Sequence, residues 1–377
     1  ERDGQQITEL AKDDAPKTTV GSSRKEVRRV WNALALNEPT TGPSSPQDLP
    51  RLLKSSLASE HNGEGASRET ADLCLLCGAC QIPHPAKVSY GGEDAFFVSA
   101  TTSSLGVADG VSEWGWRFGM NPRDFASQLM AGSQAAAEAT ETDGSAPLGA
   151  KERAAGALAG GHAAVEAFGA ATATVAVLDP ASARLGVANL GDSGLRQFRR
   201  VPGGSGVRAL ARTEEQHHAL NQPFQLSRVP LPADFQRLLA EGKTALVDAV
   251  RRCKQVKQDE ASDANLYSFS VQEGDLLVLA TDGVFDNLHE AELRNIISEG
   301  ITHPSAEGCQ GLRRACVDAL ATAIAKAAFA KSQDRSANTP FSQKLEQAGY
   351  SSPGGIPDDI TVVVAWVADK LKGAALP

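Results

Sequence analysis

The sequence predicts an α+β domain in which sheets and helices form separate layers. Short apolar runs bounded by glycine and aspartate, which are typical of strands, occur in clusters along the chain. Longer alanine-rich stretches with a helical apolar face lie between these clusters. Because strands and helices come in blocks and do not alternate strictly, a layered α+β domain is favoured over a doubly wound parallel sheet.

Composition limits the classes of function. The chain has 377 residues, with 37 Lys+Arg against 46 Asp+Glu and a net charge of −9. No run approaches the ~18–20 apolar residues of a membrane-spanning helix, and an acidic balance argues against a nucleic-acid-binding surface. We therefore expect neither membrane nor nucleic-acid partners. The balance suits a protein that gathers carboxylates around metal ions, although solubility alone is the commoner reason for it.

Residues 1–70 are predicted to form a polar, flexible N-terminal extension. Prolines and serines punctuate it, and a short helix over Lys25–Leu36 would have no core of its own. We place the domain boundary near Ala71 and the folded domain over residues 71–377. The acidic start of the chain is unlike a transit peptide. We expect an intracellular protein, with mitochondria and cytoplasm both left open.

Seven strands are predicted within the domain, each an apolar run bounded by turn residues. In chain order they are Leu73–Ile82, Ala95–Ala100, Leu105–Ala108, Thr172–Leu178, Leu185–Leu190, Leu276–Ala280 and Ile360–Val367.

Four helices are predicted between the strands: Arg123–Ala139, which follows Asn121-Pro122, then Ala150–Phe168, Ala233–Gln258 and Ala306–Lys331. Residues 141–147 read as an inserted loop, and residues 233–258 as a second insert with an apolar face broken at Gly242. A docked helix that contributes to substrate choice and a solvated surface helix are both left open for the second insert.

Three of the six cysteines lie close together, at Cys74, Cys77 and Cys80. Zinc and iron–sulfur sites usually need four ligands, and His84 is the nearest candidate for a fourth. The spacing matches only part of a known ligand set. We favour a buried strand in which each cysteine is a small apolar residue.

Carboxylates recur where apolar runs begin or end. Two motifs, Asp109-Gly110 and Asp282-Gly283, follow predicted strands. Two others precede strands: Glu93-Asp94 comes before the second predicted strand, and Asp358-Asp359 comes before the last one. The fifth, Asp192, lies in a tight turn. A single Asp-Gly is usually only a turn. Together the five motifs indicate a divalent-cation site, because Mg²⁺ and Mn²⁺ prefer hard oxygen ligands and strand ends hold side chains rigidly.

The same five motifs, in order, resemble those of the type 2C metal-dependent protein phosphatases. The segments from Gly78 to Ala95, from Glu215 to Ser227 and from Gly354 to Asp359 resemble more narrowly the mitochondrial branch linked to coenzyme Q synthesis. The resemblance covers roughly residues 71–368. It implies a four-layer αββα sandwich, with two antiparallel sheets flanked by helices and a binuclear Mn²⁺ or Mg²⁺ centre at one edge.

The resemblance also implies roles for the acidic residues. Asp109 would bridge the two metals, the Gly110 carbonyl would bind one of them, and Asp282 and Asp358 would complete the other's protein ligands. Glu93 and Asp94 would orient metal-bound waters, and Asp192 with Asp282 would mark a weaker third-metal position. The implied reaction is hydrolysis of phosphoserine or phosphothreonine on proteins by a bridging water, by a chain expected to act as a monomer.

Two positions depart from the family pattern. Many relatives have a histidine directly after Asp-Gly, proposed as the leaving-group acid, whereas Val111 stands here. Relatives also place an arginine four residues before the glutamate to hold phosphate, whereas Ser89 stands here. Lys87 is close enough in sequence to bind phosphate instead, and a solvated lysine is weighed equally.

Two other functions compete with a phosphatase. Gly191-Asp192-Ser193-Gly194 is similar to the nucleophile turn of chymotrypsin-like proteases, but the preceding His162 has no matching motif around it. A phosphatase fold used only for binding is the stronger alternative, because Val111 and Ser89 leave catalytic efficiency open.

Every motif lies beyond Ala71, so residues 1–70 should be dispensable for chemistry. We expect a chain that starts at Ala71 to keep the Mn²⁺-dependent hydrolysis of para-nitrophenyl phosphate shown by the full chain, measured side by side. A collapse of thermal stability in the shorter chain would show that the extension packs on the domain.

Overall fold

A computed structural model describes residues 72–142, 148–204, 206–252, 258–302 and 314–370. The predicted extension, residues 143–147 of the first insert and residues 253–257 of the second lie outside these ranges. The domain boundary near Ala71 therefore stays a prediction.

Thirteen strands are present in the described ranges. They are β1 (Leu73–Ile82), β2 (Ala95–Ser99), β3 (Ser104–Gly110), β4 (Gly169–Asp179), β5 (Arg184–Leu190), β6 (Gly194–Arg200), β7 (Val207–Arg212), β8 (His217–Ala219), β9 (Gln222–Pro223), β10 (Leu226–Arg228), β11 (Asn265–Ser270), β12 (Leu276–Ala280) and β13 (Ile360–Asp369).

Nine α-helices accompany them in the same ranges. They are α1 (Glu113–Phe118), α2 (Pro122–Thr142), α3 (Ala150–Ala164), α4 (Phe235–Ala240), α5 (Thr244–Arg252), α6 (Asp282–Phe285), α7 (Glu290–Thr302), α8 (Arg314–Gln333) and α9 (Pro340–Gln347). None of these helices has the length and apolar content needed to cross a membrane.

Eleven of the strands form two antiparallel sheets, and β8 pairs only with β9. The first has the order β1-β13-β12-β6-β7, and the second has the order β11-β5-β4-β3-β2, with β10 paired to β4. The faces of the two sheets that meet are apolar, with Leu75, Leu105, Val187, Leu279 and Val363 among the residues buried between them. Burial of this layer from water holds the sheets together.

Helices cover both outer faces. Helices α2 and α3 pack on the second sheet through Phe125, Leu129 and Leu158. Helices α7 and α8 cover the first sheet, where Ile297 and Ile324 join the core. The predicted four-layer αββα architecture is confirmed.

All seven predicted strands occur, within three residues at either end. The cysteine-containing run is β1, with Cys77 facing the second sheet and Cys74 and Cys80 facing the helical side, so the strand interpretation is confirmed. The sequence did not predict the six strands β6, β7, β8, β9, β10 and β11. The pattern of β11 is only half-buried, with alternate residues exposed, so it has no continuous apolar run.

The second insert contains two helices and not one. Helices α4 and α5 are separated at Gly242, whose φ of +76° lies in the left-handed region. A residue in that conformation ends a right-handed helix, and glycine adopts it without steric cost.

Helix α8 approaches β1 most closely at Gly78. A Cβ atom at this position would lie 2.4 Å from the backbone nitrogen of Asp318. Because backbone must move to make room, Gly78→Ala should lower the free energy of unfolding by about 1–3 kcal/mol.

Gly156 provides the matched control. It is exposed in α3 with no atom within 4 Å of a built Cβ, so Gly156→Ala should raise stability by about 0.5–1 kcal/mol. Urea unfolding of both variants measures the difference. If Gly78→Ala had the same free energy of unfolding as Gly156→Ala, α8 and β1 would be able to move apart without loss of stability.

Candidate metal centre

Strand register brings the acidic motifs to one edge of the sandwich. In the second sheet, Ala95 lies opposite Ala108, which places Asp94 beside Asp109. In the first sheet, Ala280 lies opposite both Val362 and Gly194. The antiparallel ladders therefore direct the segments that carry Asp282, Asp358 and Asp192 toward the same end.

Hydrogen bonds join the two sheets at Asp94. Thr281, the residue before Asp282, donates to Asp94 Oδ2 at 2.8 Å. The Gln81 side chain at the end of β1 donates to the Asp94 carbonyl at 2.9 Å and to Thr361 Oγ1 at 3.2 Å. Arg123 Nη1 also donates to the Asp94 carbonyl, at 3.2 Å. Asp94, next to the second sheet, is thus held by residues of the first sheet and of α2.

The Asp94 side chain is fully buried. Its Oδ1 has no hydrogen-bond partner in the part of the chain that the structure describes. Burial raises the pKa of Asp94 well above its usual value, and the nearby Asp359 carboxylate adds to this, while the Thr281 hydroxyl opposes it. A buried carboxylate oxygen without a donor is costly unless a cation or proton meets it.

A second line of contacts links Asp109 to Asp192. Asp109 is half-buried at the end of β3 and lies opposite Thr172. The Thr172 hydroxyl is 2.7 Å from that of Ser193, the neighbour of Asp192. His162 instead meets the Ser227 carbonyl at 3.1 Å, so Ser193 and His162 are engaged elsewhere and do not form the pair that a serine protease needs.

Close backbone packing fixes the Asp109-Gly110 corner. A Cβ at Gly110 would lie 2.7 Å from the Glu93 carbonyl oxygen and 2.8 Å from that of Pro122. Glycine is therefore required where β3 passes the loop that carries Glu93.

Lys87 lies among the carboxylates with only 6% of its surface exposed. Its Nζ donates to Glu93, to Asp359 Oδ2 at 2.7 Å and to Ser112 Oγ at 3.1 Å. The three protons of the ammonium are thus matched by three protein acceptors. Lys87 is therefore buried and not a solvated lysine. Its role as a phosphate ligand stays a prediction.

The predicted site residues reach one edge of the sandwich without forming a closed set of ligands. Within the described ranges, no three acidic, histidine or cysteine side chains are drawn together as a ligand cage. The available donors nevertheless fit a hard divalent cation, since all are oxygens and the Asp94 carboxylate has a buried oxygen without a donor. The ligand roles of Asp109, Gly110, Asp282, Asp358 and Asp192 stay predictions.

The sequence placed Asp359 in an acidic motif without giving it a role, and it did not indicate Ser112 or Thr281 as contributors to this edge. Each is next to a motif residue or two positions beyond one, which is the only signal the sequence offers. Asp359 accepts from Lys87, 272 positions away, Thr281 donates to Asp94, 187 positions away, and Ser112 contacts Lys87 and Glu93, 25 and 19 positions away.

A cluster of charged side chains borders the centre on the side of the first sheet. Lys344 of α9 donates to Glu215 at 2.7 and 2.8 Å and to Asp286 at 3.1 Å. His217 Nε2 lies 3.0 Å from Glu215. Burial alone would lower the pKa of His217, but the hydrogen bond with Glu215 and the charge of Asp192 raise it.

The second insert packs beside the centre. Leu238, Leu246 and Val247 of the insert are buried against Phe118 of α1, and Lys243 Nζ donates to the Gly119 carbonyl. Helix α1 begins directly after Ser112. The insert is therefore docked on α1, and its contribution to substrate choice stays a prediction.

Known proteins match this chain over most of its length, although no family model matches it. Probable protein phosphatase 2C 55 of Arabidopsis thaliana is 30% identical over 323 residues, covering 84% of this chain and 58% of that protein. The protein phosphatase PTC7 homolog of Homo sapiens is 35% identical over 281 residues, covering 74% of this chain and 80% of that protein. The chain thus spans less than three fifths of the plant relative's length.

A solved structure agrees with these matches. The X-ray structure of the photosystem II phosphatase PBCP is similar with a TM-score of 0.59 and 29% sequence identity. The match covers 78% of this chain and 99% of that one.

Glu215 should contribute to stability in a pH-dependent way. Burial alone would raise its pKa, but His217 and Lys344 lower it to about 2 from 4.5. A depressed carboxylate pKa stabilises the fold above about pH 4.5, and this stabilisation is lost as the pH falls toward 2. Glu215→Gln should therefore cost about 1 kcal/mol at neutral pH, a small value because a third of the side chain faces water.

Urea unfolding at neutral pH and at several values below pH 4.5 measures the difference between wild type and variant, which should shrink with acid. Glu346→Gln, an exposed change on the same helix as Lys344, serves as the control. A Glu215→Gln protein as stable as wild type at neutral pH would contradict the contribution.

Proposed function

Because the chain belongs to the protein phosphatase 2C family, we propose that it hydrolyses phosphoserine and phosphothreonine on proteins with two divalent cations, Mn²⁺ or Mg²⁺, held at its acidic edge. One observation carries the proposal: the strand registers direct all five acidic motifs to one edge of the sandwich, where the Asp94 carboxylate is buried with an oxygen that has no donor. Such a cluster of like charges is stabilised by bound cations.

The residues divide into ligands and orienting groups. Asp109, at the end of β3, and the Gly110 carbonyl would hold the ions from the second sheet. Asp282 and Asp358 would bind from the first sheet, and Asp192 with Asp282 would hold a weaker third ion. Bound in pairs, such ions lower the pKa of water and neutralise charge on phosphoryl oxygens.

Glu93 and Asp94 act on water and not on phosphate. Asp94 is fixed by Thr281 and by contacts to its own carbonyl, and Glu93 is held by Lys87, Ser112 and Tyr90. Carboxylates held in this way accept hydrogen bonds from an attacking water and fix its direction.

Proton delivery to the leaving group differs from the common family pattern. Val111 has no titratable side chain, and its backbone N–H donates to the Ala170 carbonyl at 2.9 Å. Neither group of Val111 can serve as an acid, so the proton for the serine or threonine oxygen would have to come from another side chain or from solvent.

A binding protein without turnover is the second candidate, and the substitutions at Val111 and Ser89 favour it. Hydrolysis of para-nitrophenyl phosphate with and without Mn²⁺ separates the two functions. Metal-dependent turnover that EDTA abolishes supports the enzyme, and phosphopeptide binding without turnover supports the alternative. A mitochondrial site of action also stays a proposal, based on motif resemblance.

Asp109→Asn tests the two-metal arrangement. An amide is a weaker ligand and cannot supply bridging charge, so turnover should fall by at least the ~10–100-fold typical of losing a group outside the ligand set. Fold stability should change far less. Asp192→Asn should reduce turnover more mildly if Asp192 serves only a third ion.

Steady-state hydrolysis across a Mn²⁺ titration measures both variants, with circular dichroism to confirm folding. Asp248→Asn, an exposed change on α5, is the charge-matched control and should behave as wild type. A folded Asp109→Asn protein with near wild-type turnover would falsify the two-metal reading.

A further inference from the structure

We propose that Lys87 is a positioning residue: its buried ammonium is a fixed internal counter-ion that holds Glu93 and Asp359 in place, and it does not bind the substrate phosphate. The inference rests on the proposed phosphatase function and deepens it. It replaces the interpretation in which Lys87 binds phosphate in place of the arginine that relatives have at the position of Ser89.

The contacts of the ammonium leave no proton directed to solvent. Glu93, Asp359 and Ser112 each accept from Nζ, and side chains of Lys87 and Asp359 are 7% and 1% exposed. A phosphate ligand needs at least one donor directed to the substrate. Here all three donors are directed to protein oxygens.

Hydrogen bonds at both ends of the surrounding segment fix the backbone of Lys87. Lys87 lies in a 3-10 helix, Pro85–Tyr90, whose start is capped by His84 Nδ1 accepting from the Ala86 N–H at 3.0 Å. At its end, Gly91 and Gly92 have φ of +84° and +82° and donate to the Lys87 carbonyl at 3.1 and 3.2 Å. The main chain of Lys87 is therefore as fixed as its ammonium.

Asp359 is the other half of the arrangement. Its Oδ1 accepts from the His84 N–H at 2.7 Å, and its Oδ2 accepts from the Glu93 N–H at 3.1 Å as well as from Lys87. A Cβ at Gly92 would lie 2.7 Å from Asp359 Oδ1. One carboxylate of the first sheet thus organises the whole loop that carries Glu93.

Charge explains why a cation belongs there. Burial alone would lower the pKa of Lys87, but the carboxylates of Asp358, Asp359 and Glu93 raise it above its usual range, so the ammonium stays charged. Without the ammonium, the buried carboxylates of Glu93 and Asp359 would have no counter-charge, and both would move or take up protons. A lysine bound into the chain prevents this at every metal concentration.

The two roles of Lys87 predict changes in different kinetic constants of Lys87→Met. A positioning residue predicts a kcat reduced ~10–100-fold, with KM for para-nitrophenyl phosphate and Ki for inorganic phosphate within ~2-fold of wild type. A phosphate ligand predicts KM and Ki raised together. Calorimetric titration with Mn²⁺ should give an affinity equal to wild type or up to ~10-fold tighter, because one positive charge has gone.

A double-mutant cycle tests whether Lys87 acts through Glu93. In a Glu93→Gln background, Lys87→Met should reduce kcat by less than ~3-fold, since the group it positions is already altered. A full additional loss would overturn the proposal. Lys87→Arg keeps the charge and should recover part of the lost kcat.

Ser112→Ala is the variant to use if Lys87→Met does not fold. It removes one acceptor of Nζ and one donor to Glu93 without leaving a charge unpaired, and should lower kcat with Ki unchanged. A raised Ki with kcat retained, in either variant, overturns the proposal.

Calorimetric binding of inorganic phosphate to the Mn²⁺-loaded protein keeps the two proposals distinguishable. If wild type binds Mn²⁺ and phosphate but does not hydrolyse, the proposed function fails, while an unchanged phosphate affinity in Lys87→Met still supports the counter-ion.

Discussion

The mutual repulsion of buried carboxylates at one sheet edge is the constraint on which the rest of the structure depends. Nothing local would keep Asp94, Asp282 and Asp359 together, because like charges in a poorly hydrated site repel. The antiparallel ladders β2–β3 and β12–β13 fix the chain positions where these residues emerge. The apolar layer between the sheets fixes the ladders relative to each other. The two sheets therefore hold these carboxylates close together against their mutual repulsion.

The parts of this arrangement that are local in sequence could be predicted, and the parts that depend on distant pairing could not. Continuous apolar runs such as Leu276–Ala280 identified the buried strands, and the Asp-Gly motifs at their ends identified the acids. The alternating, half-exposed β11 gave no such signal. Lys87 was noticed only for its position near Ser89. Its contact with Asp359 spans 272 positions and follows from the pairing of strands whose register no short motif specifies.

The departures from the family pattern are small beside what is retained. Val111 and Ser89 stand where many relatives have a histidine and an arginine, yet the five acidic motifs and the sandwich that aligns them are present. The cluster around Lys344 and the docked insert add contacts at the rim of the centre. Each comes from a surface element, α9 or α4 and α5, outside the two sheets. The rim can therefore vary in sequence while the strand ends that position the acids do not move.

The position of β13 has a consequence for how the protein is made. Strand β13, the last in the described residues, lies inside the first sheet, between β1 and β12, and pairs with β1 along ten residues from Leu73 to Ile82. The second sheet has all its strands once β11 has been synthesised, but the first must wait for a strand that begins about ninety residues later. At ~5–20 residues per second this is a delay of roughly 5–20 s. During that interval the nascent chain presents an unpaired β1 and an exposed apolar face. A premature stop before Ile360 would not trim an edge but would split the first sheet in two.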